Sequence, residues 1–98
     1  MKGKVVLIMG SSSGIGRETA YRFAQTGVKL VLPYNRGKAR GERAERRCRK
    51  LGAKDTLLLH LDVTDDMGIS EIVKRVLKKY SRVDFLINNA GTGVFYSF

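Results

Sequence analysis

At 98 residues the chain makes at most one small domain, and its 43% hydrophobic content excludes a disordered tract. A single cysteine, Cys48, excludes an internal disulfide and fits a reducing, cytoplasmic setting. Nineteen Lys and Arg against nine Asp and Glu give a formal net charge of +10, which favours acidic partners in a salt-dependent way.

Met1-Lys2-Gly3-Lys4 leads into the apolar run Val5-Val6-Leu7-Ile8-Met9. The run is too short for a signal core or a membrane span, so no membrane partner is expected. Its unbroken apolarity is that of a strand buried on both faces of a parallel sheet. It empties into Gly10-Ser11-Ser12-Ser13-Gly14-Ile15-Gly16. A helix is predicted from Ile15 to Gln25, with Ile15, Thr19 and Phe23, and also Ala20 and Ala24, at helical spacing and Gly27 as its stop. Gly10 lets the chain turn sharply, while Gly14 and Gly16 remove side chains where backbone must approach a ligand or a strand. The helix then opens with unpaired N–H groups and the positive end of its dipole, a place for an anion. Between a strand and a helix, the G-x-x-x-G-x-G spacing reads as a phosphate cradle more than as a connecting turn.

Val28 to Leu32 is the predicted second strand, ended by Pro33, which has no N–H to give a ladder. Ala39 to Leu51 is the predicted second helix, closed by Gly52. Its apolar stripe (Ala44, Cys48, Leu51) is narrow, which predicts a surface helix. Arg36, Lys38, Arg40, Arg43, Arg46, Arg47, Arg49 and Lys50 crowd this region, relieved by Glu42 and Glu45. Thr56 to Leu61 is the predicted third strand, with His60 a lone structural histidine. Thr64 or Asp65 can cap a third helix with the stripe Ile69, Ile72, Val73, Val76, Leu77 and Tyr80. Val83 to Asn88 is the predicted fourth strand. Gly91 and Gly93 then precede the apolar and aromatic tail Val94-Phe95-Tyr96-Ser97-Phe98.

Four strands with three crossover helices predict an α/β fold, a partial doubly wound (Rossmann-like) parallel sheet in strand order 3-2-1-4. A complete fold of this kind adds a fifth strand and more helices. The expectation is therefore an open edge on the fourth strand and an exposed apolar patch beside the first.

Three segments, Gly10-Ser11-Ser12-Ser13-Gly14-Ile15-Gly16, Leu61-Asp62-Val63-Thr64 and Asn88-Asn89-Ala90-Gly91, resemble the short-chain dehydrogenase/reductase family in order, spacing and placement. Pro33-Tyr34-Asn35-Arg36 is similar to the matching segment of its 3-oxoacyl-carrier-protein reductase branch. The resemblance implies a nicotinamide dinucleotide as partner. It puts Gly10, Ser12, Ser13, Gly14, Ile15 and Gly16 on the pyrophosphate and adenosine ribose, and Asp62 with Val63 at the adenine. Asn89, Ala90 and Gly91 would line the passage to the nicotinamide, with Asn88 stiffening the sheet.

No Asp or Glu follows the second strand, where an NAD site holds the ribose hydroxyls. Asn35 and Arg36 stand there instead, and a guanidinium grips a 2′-phosphate through paired charge-assisted hydrogen bonds. NADP is therefore the expected cofactor ahead of NAD, with Ser13 assisting.

The family's catalytic Ser and its Tyr-x-x-x-Lys pair fall after the fourth strand, beyond Phe98. Residues 1–98 are accordingly expected to be a cofactor-binding half-domain, truncated before the catalytic segment and without dehydrogenase activity of their own. Tyr34 and Lys38 match the string but bracket a turn at the adenosine end, so no catalytic residue is assigned. No metal-ligand spacing is present.

Two other readings compete. The basic stretch from Arg36 to Lys50 fits a binding module for nucleic acid or another polyanion, although it has no aromatic residue for base stacking. The open fourth strand and aromatic tail fit self-association or pairing with a longer relative.

Overall fold

The computed structural model describes residues 1–11, 14–60, 66–88 and 94–97, with the backbone alone for 66, 67 and 94–97. Strand β1 (Val5–Met9) is central, hydrogen-bonded on one side to β2 (Lys29–Tyr34) and on the other to β4 (Phe85–Asn88). Strand β3 (Asp55–His60) pairs with β2, and β1 to β4 run parallel in the order 3-2-1-4.

The continuous apolar run of β1 is explained by the two cores it feeds. Side chains alternate across a strand, so Val6 and Ile8 join Ala20, Ala24, Val28, Leu30, Leu32, Cys48 and Ile87 on one face. Val5 and Leu7 join Val31, Ile72, Val76 and Leu86 on the other. Val5 to Ile8 are wholly buried, each worth about 1.5–3 kcal/mol of hydrophobic stabilisation. Helices α1 (Gly14–Ala24) and α2 (Lys38–Leu51) cover the first face, and α3 (Asp66–Tyr80) the second.

Small residues set how α1 lies on the sheet. Its buried line is Gly16, Ala20 and Ala24, whereas Ile15, expected in the apolar stripe, is 78% exposed. The start of α1 is drawn so close to the end of β1 that only residues with little or no side chain fit between them. In α2 the narrow stripe is as expected, Ala44 and Cys48 being buried with Gly41. In α3, Ile72 and Val76 carry the stripe, and Leu77 turns outward, 45% exposed.

Three expectations about the sheet are corrected. Pro33 does not end the second strand, which continues to Tyr34. The β1 ladder stops at the Leu7–Val31 pair, while the β3 ladder runs on through Pro33–Leu59 to Tyr34–His60. Pro33 thus occupies an edge-like position with a strand partner on one side only, where proline is tolerated.

The edge of the fourth strand is also not open. Val94–Ser97 forms β5, antiparallel to β4 from Phe85–Ser97 to Asn88–Val94. The sheet is therefore five-stranded, 3-2-1-4-5, and the route expected for self-association through β4 is taken by the chain's own tail. Among the described residues the apolar patch expected beside β1 is not found either, Leu86 and Ile87 being buried. Among the described residues, the exposed large hydrophobics are Met1, Ile15 and Leu77.

Polar clasps hold the amino-terminal edge of the sheet. The Val5 N–H donates to Asp84 Oδ2 at 2.7 Å, while the Asp84 N–H donates to the Val5 carbonyl at 2.9 Å. Arg82 Nη2 donates to Asp84 Oδ1 at 2.6 Å. Farther out, Arg49 Nε donates to the buried Thr56 Oγ1 at 2.6 Å, and Thr56 Oγ1 donates to Glu45 Oε2 at 2.9 Å. The Tyr80 hydroxyl donates to Asp55 Oδ2 at 2.8 Å, tying α3 to β3.

Candidate functional site

Parallel strands put all their carboxyl ends on one edge, and that edge collects the loops singled out in the sequence. The chain leaves β1 through α1 toward β2 on one side, and it reaches β4 on the other side through α3. At such a switch point the connections part and leave a crevice, where open α/β sheets bind ligands. The glycine turn after β1 lies there.

Within the turn, Gly10 is left-handed (φ 76°) and exposed, and Gly14, the first residue of α1, is left-handed as well (φ 59°). A Cβ on Gly14 would meet nothing within 4 Å, so its outer side is open space. A Cβ on Gly16 would overlap the Gly10 carbonyl oxygen and lie 2.7 Å from the Gly10 carbonyl carbon. Gly16 thus serves strand–helix contact, whereas Gly14 leaves room for a ligand to approach backbone. Ile15, exposed beside Gly14 at the helix start, borders the same opening. Ser11 escaped the sequence reading: only 2% exposed, it packs inside the turn, its Cα 3.3 Å from a Cβ built on Gly16. A serine in a run of three gives no signal as to which one is buried.

The neighbouring strands supply the other edges of the crevice. The register Met9–Asn88 sets the end of β4 beside the glycine turn. Asn35 and Arg36 follow β2 and are both exposed. Tyr34 and His60 end β2 and β3 in register, with ring centroids 5.1 Å apart at an interplanar angle of 45°. Of the remaining site residues, Ser12, Ser13, Asp62, Val63, Asn89, Ala90 and Gly91 lie outside the described residues.

Other titratable groups stand apart from this edge. Tyr34 closes a strand and Lys38 opens a helix, so they do not share a helical face. Cys48 is buried between α2 and the sheet, and burial together with the Glu45 carboxylate pushes its thiol up to about 11. Thiolates, not thiols, are the nucleophiles, so Cys48 in the folded chain is expected to resist iodoacetamide at pH 8 and to react once denatured. Equal labelling rates in both states would contradict its packing. Among the described residues no group of three or more His, Cys, Asp or Glu is placed to hold a metal ion. No helix among them is long and apolar enough to cross a membrane.

A glycine turn at the switch point of a doubly wound sheet defines a nucleotide-binding type of α/β protein. The model of the short chain dehydrogenase family matches residues 4–98, and the chain belongs to that family. Its members bind NAD(P). The chain is 42% identical over 89 residues to "11-beta-hydroxysteroid dehydrogenase A" of Sesamum indicum, a match spanning 91% of this chain and 25% of the relative. It is 44% identical over 90 residues to "Dehydrogenase/reductase SDR family member 7" of Homo sapiens, spanning 89% and 26%. A crystal structure of a short-chain dehydrogenase/reductase from Burkholderia xenovorans superposes with a TM-score of 0.83 at 37% identity, covering 94% of this chain and 38% of that one. The chain thus spans about a quarter of the length of these curated relatives. The likenesses do not single out the 3-oxoacyl reductase branch, and they do not favour a nucleic-acid module or an assembly part.

Proposed function

We propose that residues 1–98 form the NADP(H)-binding half of a short-chain oxidoreductase, one that passes hydride between nicotinamide and a carbonyl or alcohol carbon. The observation that carries the cofactor preference is the turn after β2. Asn35 and Arg36 are exposed there, and no carboxylate lies between the end of β2 and Glu42. A carboxylate would accept from ribose hydroxyls and repel a 2′-phosphate, whereas a guanidinium attracts it.

The residues present fit the group. The open side of Gly14 admits a diphosphate to backbone, and the first-turn N–H groups of α1 stabilise negative charge there. In this reading Gly10, Ser12, Ser13, Gly14, Ile15 and Gly16 hold the pyrophosphate and adenosine ribose, and Asp62 and Val63 meet the adenine. Asn89, Ala90 and Gly91 line the way to the nicotinamide, while Arg36 with Asn35 orients the adenosine end through the 2′-phosphate. When bound, the dinucleotide supplies the hydride chemistry, and the protein supplies binding and orientation. No proton donor is assigned among residues 1–98. The lone reduced Cys48 supports a cytoplasmic setting.

Calorimetric titration with both cofactors tests the reading. NADP+ should bind at least about ten-fold more tightly than NAD+, and Arg36→Gln should lower that ratio by weakening NADP+ alone. Equal affinities in the unaltered chain would overturn it.

A further inference from the structure

We propose that Arg40 is a second specificity-determining cation for the 2′-phosphate, carried back to the turn after β2 across Gly37. The inference rests on the NADP(H) reading above and adds a residue to it. Gly37 separates Arg36 from Lys38, is left-handed (φ 77°, ψ 50°), and stands at the N-cap of α2 without a side-chain cap. A Cβ built on it would lie 2.6 Å from Arg40 Nη2 and 2.8 Å from Arg40 Nε. The guanidinium of Arg40 therefore folds back over the glycine toward the turn that carries Arg36, although its residue is exposed and the side chain has water on offer. Any side chain at position 37 would occupy that place.

No carboxylate among the described residues balances these cations. Among the described residues Arg49, Arg75 and Arg82 each lie within 4.0 Å of a carboxylate, while Arg36, Lys38 and Arg40, like Arg43, Arg46 and Arg47 farther along α2, make no such pair. The first turn of α2 has no acidic residue, yet two cations within it and one just before it face the positive end of the helix. The last turns of α1, α2 and α3 all carry basic residues, as the dipole favours. The start of α2 breaks that rule, and such local conflicts mark functional positions. A phosphate monoester offers up to two negative charges and three acceptor oxygens, enough to engage two guanidinium groups at once.

The test is calorimetric titration of the full chain, Arg40→Gln and Arg43→Gln with NADP+, NAD+, adenosine 2′,5′-bisphosphate and adenosine 5′-monophosphate. Arg43 is also exposed but about one turn farther along α2, so it reports the general positive field. Arg40→Gln should weaken NADP+ and the 2′,5′-bisphosphate about ten-fold and leave NAD+ and the 5′-monophosphate unchanged, with Arg43→Gln keeping the original ratios. An unaltered NADP+/NAD+ ratio in Arg40→Gln, or an equal drop in Arg43→Gln, overturns the role of Arg40 and leaves the NADP(H) reading standing. An unaltered chain that binds NADP+ no better than NAD+, or binds neither, overturns both.

Discussion

Gly16→Ala is expected to abolish the cooperative thermal unfolding transition of this chain. The added methyl would be driven into the Gly10 carbonyl group, and the atoms it meets are backbone at the end of β1. Neither side can yield cheaply. Gly16 is in the first turn of α1, whose buried line of Gly16, Ala20 and Ala24 lies against the sheet. Gly10 is held in a left-handed turn at the end of β1, whose first four residues are fully buried. Overpacking a close-packed site costs about 1–3 kcal/mol and more where backbone must move. A domain of this size buries a smaller fraction of its surface than a large one, so it has little stability to lose. Any relief that lifts the start of α1 from the strand also carries its first-turn N–H groups away from the glycine turn, so nucleotide binding should fail with the fold. Gly14→Ala is the matched control. Its Cβ meets open space, and the cost is the left-handed backbone (φ 59°) alone, about 1–2 kcal/mol. Circular dichroism melts of the two variants should therefore separate clearly. Similar melts would mean that the strand–helix contact at Gly16 is not as tight as its geometry requires.

The same contact explains what was legible in the sequence. Gly10, Gly14 and Gly16 could be read directly because their role is backbone geometry at fixed spacing after an apolar run. The run Val5 to Met9 could be read because a strand buried on both faces leaves no polar position. The direction of α1 was legible only in part: Ala20 and Ala24 stood in the expected stripe and are buried, but Ile15 stood there too and is exposed, with Gly16 in its place against the sheet. What decides is how closely the helix approaches, which only the fold sets. Strand β5 was hidden for a related reason. Val94–Ser97 is four residues long and follows two glycines, and its pairing with β4 is a tertiary event with no local signature. Arg36 was legible as a candidate from its place after β2. Arg40 was one of eight cations between positions 36 and 50 until the fold laid it across Gly37.

Asp84 lies within the predicted fourth strand with no role assigned there, yet Asp84→Ala is expected to be among the most destabilising changes outside the apolar core. Its side chain is 14% exposed and accepts from the Val5 N–H and from Arg82. Val5 is wholly buried, so removing the carboxylate leaves its N–H without that acceptor, a cost of about 1–3 kcal/mol, with the charge-assisted bond from Arg82 lost as well. Burial raises the carboxyl of Asp84, but the Arg82 and Val5 hydrogen bonds and the charges of Arg82 and Lys4 outweigh it, leaving the group below its ordinary 3.8. At Asp55 burial likewise opposes ionisation, and the Tyr80 hydroxyl, the Thr56 backbone, Lys79 and Arg49 together hold the group low. A carboxylate lowered in the folded state binds fewer protons than in the unfolded state near pH 4. Its stabilisation is therefore complete above about pH 5 and is lost as pH falls past 3.8 and through the folded value. Urea midpoints measured from pH 6 to pH 3 should drop toward the acid end for the unaltered chain. For Asp84→Ala they should start lower and fall less steeply, because one of the two lowered carboxylates among the described residues is gone. Asp84→Asn separates the parts: its amide oxygen still accepts from Val5, so much of the midpoint should return while the acid dependence stays shallow. Parallel acid profiles for the unaltered chain and Asp84→Ala would show that the clasp between β1 and β4 does not depend on this charge.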